Sequence, residues 1–162
     1  MTPFNPQRRD GRSQHGRSGS GPCPKTIETL WPNDLSGGYF DAKGNLKVEY
    51  VSRKPVEQLV KEMCENSQIR LTSHQARRYF GHCRAIETRL KSGGAAWASV
   101  LPEIKKLDVA AADGFAKSPP KIPKLFHDFI QRNVAVIREE RDFLRGFLPH
   151  FEALMGFGAA YF

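Results

Sequence analysis

The sequence predicts an all-α fold: a small bundle of about five helices behind a disordered, basic N-terminal arm. From residue 54 onward apolar side chains recur three and four positions apart, which is the helical period. No stretch alternates with the period of two that a half-buried strand requires, and no internal repeat stands out. Breakers at Gly93-Gly94 and Ser118-Pro119-Pro120 cut the apolar pattern into pieces of helical length. A chain of 162 residues is enough for one domain with a core, and short for two.

The arm comes first. Residues 7–22 are rich in Gly, Ser and Arg and contain no aliphatic side chain. Such a stretch buries too little apolar surface to offset its chain entropy. The expected division is an arm over residues 1–36 and a helical domain over residues 37–162. Residues 36–50 are expected to be an ordered, mostly irregular lead-in. Asp41, Gly44 and Asn45 supply turns, while Tyr39, Phe40, Leu46 and Tyr50 supply apolar anchors.

Five helices follow. Val56, Leu59, Val60 and Met63 mark the first, about 54–66, with Pro55 near its start. The second, about 73–91, opens with Thr72 as N-cap and Gln75 at the capping-box position. Ala76, Tyr79, Phe80, Cys83, Ile86 and Leu90 form its apolar stripe. The third, about 95–115, tolerates Pro102 only within its first two turns. The fourth, about 123–137, and the fifth, about 140–156, are rich in Phe on their core faces. Pro149 is expected to kink the fifth one turn earlier, near Arg145.

Charge narrows the partners. Lys plus Arg number 25 and Asp plus Glu 17, a formal charge of +8. The sequence pI of about 9.6 suits a polyanion such as nucleic acid, although the same charge also serves solubility. Residues 1–25 hold five Lys/Arg and one acid, so half of the net charge lies in the arm. There it can add nonspecific phosphate contacts or merely solvate a tail. No apolar run reaches the roughly 18 residues of a membrane span, and no secretory signal is expected. Cys23, Cys64 and Cys83 are scattered and form no CxxC pair, which agrees with a reducing, cytoplasmic setting.

The second helix concentrates the informative charge. Arg77, Arg78, Arg84, Arg89 and Lys91 stand against a single acid, Glu87. Arg77, Arg84 and Lys91 are seven apart, so they align along one face at intervals of about 10 Å. Such a column can follow a phosphate backbone, and the arginine fork donates to phosphate bidentately. Glu87 falls in the apolar stripe, where a carboxylate needs a partner; an arginine of another helix is expected.

Catalytic chemistry finds no support in the sequence, and no enzyme activity is expected. His74 and His82 share the second helix eight positions apart, without the HxxxH or HExxH spacing of a metal pair. Cys83, next to His82, falls on the core stripe rather than in a nucleophile's setting. There is no P-loop and no GxGxxG, so neither metal nor cofactor is expected.

The run Leu71-Thr72-Ser73-His74-Gln75-Ala76-Arg77-Arg78-Tyr79-Phe80 resembles the L-T-x-x-Q-[IL]-R-[KR]-[FY]-[FY] motif of the small subunit of type III-A CRISPR effector (Csm) complexes. Gly38–Leu46, Val100–Leu107 and Phe143–Glu152 are similar to the same family, in the same order. Position 76 departs from the motif, holding Ala where a larger aliphatic residue is usual. The resemblance implies a noncatalytic subunit that stacks in several copies along the guide RNA–target RNA duplex. Its partners would be both RNAs, the backbone, large and cap subunits, and further copies of itself. Cleavage and second-messenger synthesis would belong to the other subunits. The resemblance carries over Arg77 and Arg78, with Arg84 on the same helix face; together with the charge column, the RNA-binding residues expected are Gln75, Arg77, Arg78, Arg84 and Lys91. The alternatives are an unrelated helical nucleic-acid-binding module and a protein-binding adaptor.

Overall fold

The structure, a computed structural model, describes residues 25–162. Most of the expected arm, residues 1–24, lies outside the described residues. Six α-helices and no strand are present among those described. They are α1 (Ile27–Leu30), α2 (Arg53–Cys64), α3 (Ser73–Lys91), α4 (Trp97–Ala116), α5 (Lys124–Val136) and α6 (Leu148–Gly158). The all-α expectation therefore holds, with the five expected helices present as α2 to α6 and α1 added in front.

The folded unit begins earlier than residue 37. Ile27, Trp31 and Leu35, spaced four apart, are all buried. Trp31 packs its ring 5.3 Å from Tyr50 and 5.2 Å from His150, centroid to centroid. Averaging this short apolar segment with the polar arm concealed its periodicity. The lead-in behaves as expected, with Tyr39 and Tyr50 fully buried. Asp41 organises its turn by accepting from the N–H groups of Lys43 and Asn45, both at 2.9 Å. Gly44 closes that turn at φ +81°, a conformation favourable to glycine alone among common residues. Phe40 and Leu46 then pair as a single antiparallel bridge.

The core is a continuous aromatic and aliphatic cluster. Phe126 and Phe129 of α5 meet Phe143, Phe147 and Phe151 of the C-terminal helical stretch, all fully buried. The Phe-rich faces are thus core. Tyr79 of α3 packs edge-on against Phe126 at 5.2 Å, and Phe80 against Phe151 at 5.3 Å. These contacts fix the rotation of α3 and so decide which of its side chains face solvent.

Pro149 is accommodated by a π-helical turn, Asp142–Phe147, that runs directly into α6. Leu148 donates its N–H to the Phe143 carbonyl, five residues back instead of four. The wider turn makes room for a proline ring, which in a regular helix collides with the carbonyl four residues back. The expected disturbance near Arg145 takes this form.

Candidate nucleic-acid interface on α3 and α4

Helix α3 starts where its capping box places it. Thr72 Oγ1 accepts from the Gln75 N–H at 3.3 Å, and Gln75 Oε1 accepts from the Thr72 N–H at 2.9 Å. Gln75 Nε2 donates to the Lys121 carbonyl, which ties the start of α3 to the loop before α5. Both ends of the Gln75 amide are therefore engaged within the fold. From this start, Ala76, Tyr79, Cys83 and Ile86 face the core. Arg77, Arg78, His82, Arg84, Arg89 and Lys91 are exposed.

The cations on this face are not equivalent. Glu87, only 8% exposed, lies between Arg84 Nη1 at 2.7 Å and Lys91 Nζ at 2.6 Å. The expected partner on another helix is replaced by two on the same one. Positions three and four apart on a helix are side-chain neighbours, so the nearest cations take the carboxylate. Arg89 pairs with Glu103 of α4 at 2.8 Å. Arg77 and Arg78 form no ion pair among the described residues. The Arg78 guanidinium instead lies 5.7 Å from the centroid of the Tyr79 ring.

Periodicity within α3 alone could not show what stands opposite. Arg78, Tyr79 and His82 of α3 and Glu103, Lys106, Leu107 and Ala110 of α4 line an open groove of about 700 Å³. The Glu103 carboxyl is held below its usual range, first by the hydrogen bond from Arg89. Neither Arg78 nor Lys106 forms an ion pair among the described residues, and the one carboxylate of the lining, Glu103, is bonded to Arg89. Lys106 is the cation that single-helix reasoning missed, since only the packing of α4 beside α3 brings it to Arg78; His82, four residues after Arg78 on α3 itself, shares the same wall.

Other candidates for chemistry resolve into structure. Burial pushes the Cys83 thiol up to about 12, far from the thiolate a nucleophile needs. Among the described residues no group of three or more His, Cys, Asp or Glu side chains is placed to hold a metal ion. No helix among them is long and apolar enough to cross a membrane. Asp128 of α5 pairs with Lys124 one turn earlier and is hydrogen-bonded to His127 Nδ1 at 2.9 Å, and Glu62 of α2 pairs with Lys25 from the segment before α1, so each of these buried acids has a cationic partner.

Comparison with curated proteins gives no match, and comparison with solved structures gives none either. The family model Csm2 Type III-A matches residues 53–161, which takes in every helix from α2 to α6. That span is more than half of the chain and contains the whole α3–α4 face, so the chain belongs to the Csm2 family, the small subunit of the type III-A CRISPR Csm complex.

Proposed function

We propose that this subunit is noncatalytic and holds RNA through the phosphate backbone, using the exposed face of α3. In the assembled complex several copies stack along the guide–target duplex beside the backbone, large and cap subunits, in the cytoplasm. The supporting observation is the pair Arg77 and Arg78, adjacent, exposed and without a carboxylate partner among the described residues. Arg84 and Lys91 extend the column, but each must exchange Glu87 for phosphate before it contributes fully. Gln75 acts as a positioning residue, since its cap sets where the arginines begin.

A subunit that serves any guide has to ignore sequence. Backbone contacts do this, because phosphates carry no base information. The test is single-stranded RNA binding by the full chain over a salt series. Arg77→Ala should lower the log–log salt slope by roughly 0.7, the value for one lost phosphate contact on a single strand. Arg84→Ala should have a smaller effect. The loss should be alike for unrelated RNA sequences; a loss confined to one sequence would contradict backbone holding.

A further inference from the structure

We infer that the groove between α3 and α4 is the seat of one nucleotide of the bound RNA. Its phosphate lies between Arg78 and Lys106, and its base rests against Tyr79, Leu107 and Ala110. This rests on the RNA-holding role proposed above and deepens it, by moving the strand from the outer row of α3 into the cleft beside it.

Charge complementarity selects the occupant. Arg78 stands on one wall and Lys106 on the other, and neither forms an ion pair with a carboxylate among the described residues. The acid in the lining, Glu103, is already held by Arg89 at 2.8 Å. A strand that placed its phosphates along Arg84 and Lys91 would instead have to displace Glu87 from both. The floor is apolar, formed by Leu107, Ala110 and the Tyr79 ring. Cationic walls over an apolar floor suit a nucleotide, which is anionic at the phosphate and flat and weakly polar at the base face. The groove's volume of about 700 Å³ falls within the range of small-molecule sites and exceeds what one base requires. Contact with a base face is tolerant of sequence, because every base has one.

The floor also gives the test. Ala110 is exposed and belongs to α4 within the lining, so a large side chain there fills the groove without entering the core. The full chain is titrated with a fluorescent 12-nucleotide single-stranded RNA, and separately with inorganic polyphosphate of similar charge. Ala110→Trp should weaken RNA binding about tenfold, the scale of one lost base contact, and leave polyphosphate binding nearly unchanged. Lys106→Ala should weaken both, and more than the charge-matched control Lys61→Ala on α2. In the unaltered chain, 4-thiouridine RNA should cross-link to peptides of α3 and α4 that contain His82 or Leu107. That measurement stands even if a variant fails to fold.

RNA binding that survives Ala110→Trp but falls with Arg77→Ala would overturn the groove and leave the α3 face in place. RNA affinity unchanged in Ala110→Trp, with loss of assembly into the complex, would assign the groove to a protein partner and overturn the inference. Absence of RNA binding by the unaltered chain at low salt would overturn both readings together.

Discussion

Glu87 Oε2 lies 2.7 Å from Arg84 Nη1, one turn away on the same helix. With Lys91 on its other oxygen, this nearly buried carboxylate holds two cations of the exposed face in fixed positions. The arrangement lowers the free positive charge of α3 while keeping its side chains ordered. Glu87→Gln should therefore release Arg84 and Lys91. RNA affinity at low salt should rise several-fold and the salt slope should steepen, because two further cations become available to phosphate. Thermal stability should change little, since helical pairs of this spacing contribute about 0.3–0.5 kcal/mol. RNA titration beside a melting curve measures both.

Gly146 meets the face of Tyr39 so closely that a Cβ there would lie 2.5 Å from Tyr39 Cδ2. The ring cannot retreat: it is fully buried, and its hydroxyl donates to Asn133 Oδ1 at 2.8 Å. Gly146→Ala should destabilise the chain by about 1–3 kcal/mol, as overpacking does. Gly156, on the exposed side of α6, has no neighbour within 4 Å of a built Cβ. Gly156→Ala should stabilise by about 0.5–1 kcal/mol through helix propensity alone. Denaturant unfolding of the two variants should give shifts of opposite sign.

His150 is fully buried and bonded through Nδ1 to the Tyr50 carbonyl at 2.7 Å, with Nε2 left unpartnered. Burial pushes its pKa down to about 4. The unfolded chain takes up this proton near pH 6.5 and the folded chain only near 4, so stability from this group is complete above 6.5 and is lost as pH falls toward 4. The loss is on the order of 3 kcal/mol. Asp34 opposes it. Burial, and then the charge of Glu49, raise the Asp34 carboxyl to about 6, so the folded chain gains stability as pH falls from there. Asp34→Asn should remove the offset and make the fall in unfolding free energy between pH 6.5 and 4.5 steeper than in the unaltered chain.

Lys105 of α4 donates from Nζ to the carbonyls of Val134 and Ile137, at the C-terminal end of α5. Those carbonyls lack partners within their own helix, and a cation there also suits the helix dipole. Lys105→Met should cost about 1–3 kcal/mol in unfolding free energy, because it leaves partly buried acceptors unpaired. The salt slope of RNA binding should not move, which separates this lysine from its neighbour Lys106.

The division between what sequence and structure each decided follows from the range of the forces. Local forces write helices legibly: the capping box at Thr72 and Gln75, the apolar stripe of α3 and the Gly93-Gly94 stop all act within a few residues. The sequence by itself therefore determined the five long helices, the core role of the Phe-rich faces and the cationic bias of α3. Short segments that form only against a surface were not legible. Ile27, Trp31 and Leu35 read as part of a polar arm because α1 is too short to be stable alone and is held by burial against the core. Side-chain pairing was also undecided, since Glu87 had cations within reach on its own helix and, in principle, on others. Only tertiary structure decided that no cation of another helix competes for that carboxylate and that Arg78 faces Lys106 across a groove. Those relationships depend on the rotation of α3 about its axis and on which helix lies beside it, and both are set by packing between residues distant in the chain.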